Sequence, residues 1–330
     1  MKNGKNDCRL SEYGKERRYG FCFTLLMVVF LMLPSSAPAE TITLYDSTSG
    51  SLPGAQGWVF AALPLPNSVA QNFDADTGAA HLDTTTKTGD SAGYFSSIPE
   101  YELGPGMTSP ARSHPDMPDN LDRAAGFVVS FEVRIDSEAH NYEHRAGFSV
   151  IVTSDDFAKA IELGFWEGEI WAQEGGTENL FTHAEGVARD TRSQMTLYAL
   201  KVEGDTYELS ADGTPILSGP LRDYSAFSGA PPLNYPYQTP NFIFLGDDTS
   251  SASAAIRLKS VRVTLPVTVP GDADGSRGVD LRDAILILKI LAGSEISGTE
   301  IELSADVDGD GMLGIADVVY ILRAIGQGTN

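Results

Sequence analysis

Gly126–Ile135, GFVVSFEVRI, sets Phe127, Val129, Phe131, Val133 and Ile135 against Val128, Ser130, Glu132 and Arg134 at alternate positions. Successive side chains of a strand point to opposite faces, so a period of two predicts a strand with one buried face. The pattern continues in Phe148–Val152, Ile161–Phe165, Ile170–Ala172, Thr196–Val202, Tyr207–Ser210, Ile216–Leu217, Asn241–Leu245 and Ala254–Val263. Asp212-Gly213 predicts a type I′ hairpin between two of these runs, and Gly204-Asp205 a second tight turn. No stretch between 40 and 265 has a convincing helical period. Many strands joined by hairpins predict an antiparallel two-sheet sandwich. Upstream the signal thins. Thr41–Tyr45 and Trp58–Ala61 are the strand candidates there, and Ser96–Asp122, with Pro99, Pro105, Pro110, Pro115 and Pro118, reads as a long ordered loop.

Near the C-terminus the chemistry changes. In ADVDGDGMLGIADVVYILRAIG, Ala305–Gly326, oxygen-bearing side chains stand at Asp306, Asp308 and Asp310. Gly311 follows, Met312 offers a backbone carbonyl, and Asp317 closes the loop. A Ca²⁺ ion takes six to eight oxygens at roughly 2.3–2.6 Å, and a twelve-residue loop of this spacing supplies them. The following segment is apolar at Val318, Ile321, Leu322 and Ile325, one face of a helix. An earlier copy, Gly271–Gly293, places Asp272, Asp274, Ser276, the Gly278 carbonyl, Asp280 and Asp283 in the same slots. Arg277 stands there where glycine is expected, which predicts a weaker site because arginine resists positive φ.

Two such loop-helix repeats closed by Asp resemble a dockerin module, the calcium-dependent docking domain of secreted polysaccharide-degrading systems. The resemblance covers about 60 residues and implies Ca²⁺ as cofactor and a cohesin-like or cell-surface protein as partner. In dockerins the tenth and eleventh loop positions help choose that partner. Here they are Leu281 and Arg282 in one repeat, Ile315 and Ala316 in the other, and neither pair is the common Ser-Thr.

Composition narrows the function classes. The 330 residues carry a formal charge of −22. Acidic side chains predominate after residue 39, which excludes nucleic acid as a partner, since phosphate binding needs a basic surface. Residues 1–39 read as a signal peptide: Lys2 to Arg18 supply a basic stretch, Phe21–Leu33 is apolar, and Ala37-Pro38-Ala39 favours cleavage before Glu40. Both cysteines, Cys8 and Cys22, lie in that segment, so the exported chain is expected to have no disulfide and no transmembrane segment. The expected domains are then a signal peptide at 1–39, a sandwich at 40–265, a linker at 266–270 (PVTVP at its core) and a calcium module at 271–330.

The order GFVVSFEVRI, AGFSVIV, IELGFWEGEIWAQ, YALKVEGDTYELSADGTPILSG, FIFLGDD and IRLKSVRVTL resembles a concanavalin A-like jelly roll, and also the secreted bacterial "choice-of-anchor" modules. That resemblance implies a fold more firmly than an activity. The fold class expected is therefore mainly β, an antiparallel jelly-roll sandwich followed by a small α-helical dockerin-like calcium module.

On the sandwich, alternation puts Glu162, Gly164 and Trp166 on one face of their strand, and Glu169, Trp171 and Gln173 on one face of the next. If the two strands are neighbours, Glu162, Trp166, Trp171 and Gln173 gather on the non-core face, with Arg145 and His183 at its rim. Aromatic rings would stack on sugar faces there while carboxylate and amide groups read hydroxyls. The same residues could instead pack under a loop. Glu203, Asp205 and Glu208 have the E-x-D-x-x-E spacing of laminarinase-type glucanases, but the expected turn at Gly204-Asp205 would splay them. His140, Asn141, His144 and Arg145 form a polar cluster on a solvated connection, and Asp247-Asp248 could hold a structural calcium ion. Two functions stay open: an extracellular or surface-attached binder of polysaccharide with no catalytic residue, and a polysaccharide hydrolase or lyase on the same sandwich.

Overall fold

The computed structural model describes residues 39–104, 107–229, 235–266, 269–276, 278–294, 296, 301–302 and 305–327. The expected signal segment before Ala39, linker positions 267 and 268, and Arg277 lie outside them.

The decisive stretch opens strand Phe127–His140, which buries Phe127, Val129, Phe131, Val133 and Ile135. It pairs antiparallel with Thr196–Glu203 on one side and Ala252–Pro266 on the other. Its sheet continues through Thr206–Ala211 to Thr214–Pro220 at one edge, and through Ala79–Asp83 to Ala70–Asp74 at the other. Ala39–Asp46 also pairs with Ala252–Pro266. The second sheet runs His183–Ala188, Glu169–Gln173, Ala160–Phe165, Ser149–Thr153, Phe242–Asp247, Ser91–Phe95, Val59–Leu63, all antiparallel. Between the sheets lies one apolar core, where the rings of Phe131, Phe165 and Tyr198 meet with centroids 5.3–5.9 Å apart.

The second sheet is buried on both faces at its centre. Every residue of Ser149–Thr153, Ala160–Phe165 and Phe242–Asp247 is buried. Its outer face lies under Tyr224 and Tyr237, with Phe181 and Phe227 beside them, packed on Ile151, Phe242, Phe244 and Phe95 as a second apolar cluster. Four strands of five or six residues went unread in the sequence. Ala70–Asp74 is a polar edge of the first sheet, with Ala79–Asp83 beside it; in the second sheet His183–Ala188 is an edge, and Ser91–Phe95 is masked by its small residues. Gly93 is small for a steric reason: a Cβ there would run into the Phe244 ring and stand 2.8 Å from the Leu245 carbonyl. The proline-rich loop carries two short pairings, Ser97–Ile98 with Arg112–Ser113 and Tyr101–Gly104 with Met107–Ser109.

Asp212 and Gly213 both have positive φ, 49° and 78°, as a type I′ turn requires. Gly204-Asp205 joins Glu203 to its partner Thr206. The E-x-D-x-x-E residues therefore straddle a hairpin, and Asp205 is taken by Arg123 at 2.5 Å and Lys159 at 2.9 Å.

At the C-terminus, helices Leu281–Leu291 and Ile315–Gln327 pack through Ala284, Ile287, Leu313, Val318 and Ile321. The apolar face expected of the second helix is divided. Val318 and Ile321 are buried, whereas Leu322 is 48% and Ile325 38% exposed, because a two-helix pair has room to cover one stripe. No helix among the described residues is long and apolar enough to cross a membrane.

Gly93→Ala should destabilise the fold by about 1–3 kcal/mol, the usual cost of overpacking. Thermal denaturation should show a lower Tm by roughly 2–4 °C per kcal/mol; an unchanged Tm would contradict the close approach of Gly93 to its neighbouring strand.

Candidate functional site

Ile161, Leu163 and Phe165 enter the inter-sheet core, so alternation turns Glu162 to the outer face. The neighbouring strand does the same: Ile170 and Ala172 go in, Trp171 and Gln173 go out, with Gly164 paired to Trp171. Beside the aromatic cluster this outer face opens into a cavity of about 590 Å³. Glu162, Gln173, Arg145 and Asp248 line it together with Phe181, Phe227 and Tyr237, and the hydroxyl residues Thr249, Ser250 and Ser251. Its size suits a small ligand.

One hydroxyl organises the floor. The Tyr237 Oη stands 2.8 Å from Glu162 Oε2 and 2.9 Å from Asp248 Oδ2. A phenol has one proton, so it donates to one carboxylate at a time, and the other oxygen needs a proton from elsewhere. Burial, then the like charge of Asp248, push Glu162 well above the ordinary carboxylate range. Burial raises Asp248 too, and drives the Tyr237 hydroxyl so high that it acts as a donor and not as a base. Ser149 Oγ adds a long contact of 3.4 Å to Glu162 Oε1. The two acids are thus linked through Tyr237 in a buried floor.

Arg145 supplies the positive charge. Its Nη1 donates to the carbonyls of His144 at 2.7 Å and Phe181 at 2.8 Å, and its guanidinium lies 5.5 Å from the Phe181 ring centroid. Phe181 has φ 60°, a conformation that bulky residues rarely hold. That twist accompanies the use of both its carbonyl and its ring against Arg145.

The tryptophans do not form an open platform. Trp171 is 0% exposed, with the His183 imidazole stacked on it at 4.2 Å. Trp166 is stacked by His140 at 4.1 Å and tilts against Trp171 at 5.5 Å. Histidine rings therefore occupy the faces that would meet a sugar, and neither Trp166, Trp171 nor His183 lines the cavity. Trp166, His183 and Gln173 brace the loop that carries Arg145. Trp166 Nε1 donates to the Arg145 carbonyl at 2.8 Å, the His183 amide donates to His144 Nδ1 at 3.1 Å, and Gln173 Nε2 donates to the His144 carbonyl at 3.3 Å. Of the residues expected on this face, Arg145, Glu162 and Gln173 line the cavity and the other three stand behind it.

Tyr237, Phe181 and Phe227 were not foreseen, and Asp248 was weighed only as a calcium ligand. Tyr237 is 75 residues from Glu162, so no local pattern joins them. Asp247, next to Asp248, faces the inter-sheet side and accepts from Thr84 Oγ1 at 2.6 Å. Burial pushes its carboxyl up to about 9.

At the C-terminus, carboxylate oxygens of Asp272, Asp274 and Asp283 lie within 4.8 Å of one another, and so do those of Asp306, Asp308 and Asp317. These are the groups among the described residues with the spacing to hold a metal ion. Asp283 and Asp317 are both 0% exposed, each accepting from two sides of its own loop: Ala273 and Asp280 amides in one, Val307 and Gly314 amides in the other. Three crowded acids with buried closing carboxylates fit a hard cation. Asp280 and Asp310 stand outside the two groups. Asp280 caps the first helix through the Arg282 amide at 2.6 Å, and Asp310 accepts from the Met312 amide at 2.9 Å. Ser276 Oγ donates to the Gly278 carbonyl at 3.3 Å. Leu281, Arg282, Ile315 and Ala316 are all exposed on the first turns of the helices.

Asp247 yields a pH dependence. The unfolded carboxyl loses its proton near 3.8, the folded one near 9, so between these values the folded state binds the extra proton and stability falls as pH rises. Tm should decline between about pH 4 and pH 9, and Asp247→Asn should make the decline shallower. Parallel Tm–pH curves for the two proteins would refute the assignment.

No family model matches the sequence, and no curated protein does. Among solved structures, the carbohydrate esterase vb_24B_21 of the Shiga toxin-encoding bacteriophage phi24B is similar at TM-score 0.44 and 13% identity, covering 69% of this chain and 100% of that one. The alginate lyase A1-II′ gives 0.37 and 12%, over 66% and 97% of the two chains. A protein of unknown function with a galectin-like fold from Bacillus subtilis gives 0.38 and 10%, over 70% and 100%. These likenesses concern the fold alone.

Proposed function

We propose that the chain is an exported carbohydrate-binding protein whose sandwich takes a glycan in the cavity above Glu162, Asp248 and Gln173. The helix pair, loaded with Ca²⁺, serves as a dockerin-like attachment to a cohesin-like or cell-surface partner. The observation that carries the sugar site is the buried Glu162–Tyr237–Asp248 bridge in a cavity of ligand size, with Arg145 beside it. Such a floor offers fixed oxygen acceptors under aromatic walls, which is how hydroxyls and C–H faces are read. Attachment is supported by the paired acid groups and by four exposed residues at the tenth and eleventh loop positions.

A second reading, a polysaccharide hydrolase, is favoured by one juxtaposition. Both acids contact the same hydroxyl, at 2.8 and 2.9 Å. The contacting oxygens can be no farther apart than those two contacts combined, a bound that admits the roughly 5–5.5 Å of a retaining pair. Glu162, holding its proton, would be the acid and Asp248 the nucleophile.

Calorimetry against a panel of oligosaccharides tests the site. Binding is expected, weakened roughly tenfold or more in the Glu162→Gln/Asp248→Asn double variant, which keeps the shape and removes both charges. Release of reducing ends by the wild-type chain, lost in either single variant, would move the assignment to the hydrolase. For the helix pair, EGTA should reduce helical circular dichroism, because metal binding energy there is folding energy. Asp306→Ala/Asp317→Ala should remove one of two calcium-binding events in a titration; an unaltered isotherm would refute the calcium assignment.

A further inference from the structure

We infer that the cavity takes a neutral, hydroxyl-rich sugar and discriminates against acidic ones; this rests on the sugar-site reading above. The argument is a balance of donors, acceptors and charge on the floor. Gln173 is 2% exposed and its Oε1 has no hydrogen-bond partner, although its Nε2 is committed to the His144 carbonyl. An orphaned buried acceptor costs about 1–3 kcal/mol unless something donates to it. Glu162 and Asp248 add four carboxylate oxygens, and these share few donors: the single phenol proton of Tyr237, the Ser149 hydroxyl and the Gln173 amide. The floor therefore has a surplus of acceptors, and its ligand must bring donors. Sugar hydroxyls do so.

A carboxylated or sulfated sugar would bring an anion instead. The two acids already resist ionising together, and Arg145 is partly used, its Nη1 held by two carbonyls. A third negative group in this low-dielectric space would meet one cation among the described residues that line it, Arg145, whose charge already faces Glu162 and Asp248. Phe181 and Phe227 offer rings for the C–H face of a neutral pyranose.

The test is calorimetry on the full-length chain in calcium buffer, with hexamers of laminari-, cello- and manno-oligosaccharide against hexamers of mannuronate and galacturonate. At least one neutral hexamer should bind roughly tenfold or more tightly than either acidic one. Asp248→Asn should narrow that gap by strengthening the acidic hexamers, a change that a loss of fold would not produce. Gln173→Ala should weaken the neutral hexamer while leaving Tm within a few degrees. If an acidic hexamer binds as tightly as every neutral one, the inference fails and the sugar-site reading stands. If no hexamer of either kind binds, both fail.

Discussion

A strand in the middle of a sheet has two faces, and in this protein one sheet must bury both. Ala160–Phe165 shows the constraint in its simplest form, since all six residues are inside. One face is satisfied by the other sheet. The other face needs a cover, and the segment between Pro220 and Phe242 provides it with Tyr224, Phe227 and Tyr237. The cavity exists where that cover stops short. Glu162 is then neither in the core nor in water, which is why its carboxyl needs Tyr237 and why its acidity is altered.

The aromatic groups divide their labour along the same line. Phe181, Phe227 and Tyr237 form walls, while Trp166, Trp171, His140 and His183 form a stack that holds the Arg145 loop in place. Three separate hydrogen bonds pin that loop, from Trp166 Nε1, the His183 amide and Gln173 Nε2. Shape in the cavity is thus set in part by residues that do not line it.

The sandwich was legible because one-face burial leaves a period of two, as in Phe127–Ile135. It was not legible where the chain breaks that rule for steric reasons, at Gly93 under Phe244, or where an edge is polar, at Ala70–Asp74. Within the site, Glu162 and Gln173 could be named because an acid or amide in an apolar strand stands out. Arg145 could be named because it lies on the loop before the next strand. Tyr237 and Asp248 could not be joined to Glu162, since only folding brings them across 75 residues and two strands. Whether the tryptophans are open or covered stayed undecided for a related reason: alternation gives the face of a strand but not what comes to lie on top of it.

Most of the cover over the second sheet comes from one excursion that leaves the first sheet after Pro220 and enters the second at Phe242, with Phe181 added from elsewhere in the chain. Side chains along it are tied to the strands beneath: Tyr224 Oη accepts from the Glu162 amide and donates to the Gln173 carbonyl, and Tyr237 holds both acids of the floor. Exchanges at Phe227 would reshape one wall of the cavity, whereas exchange of either tyrosine would also disturb what lies below it. Variation in such a scaffold is thereby confined to the stretches of roof that carry no phenol.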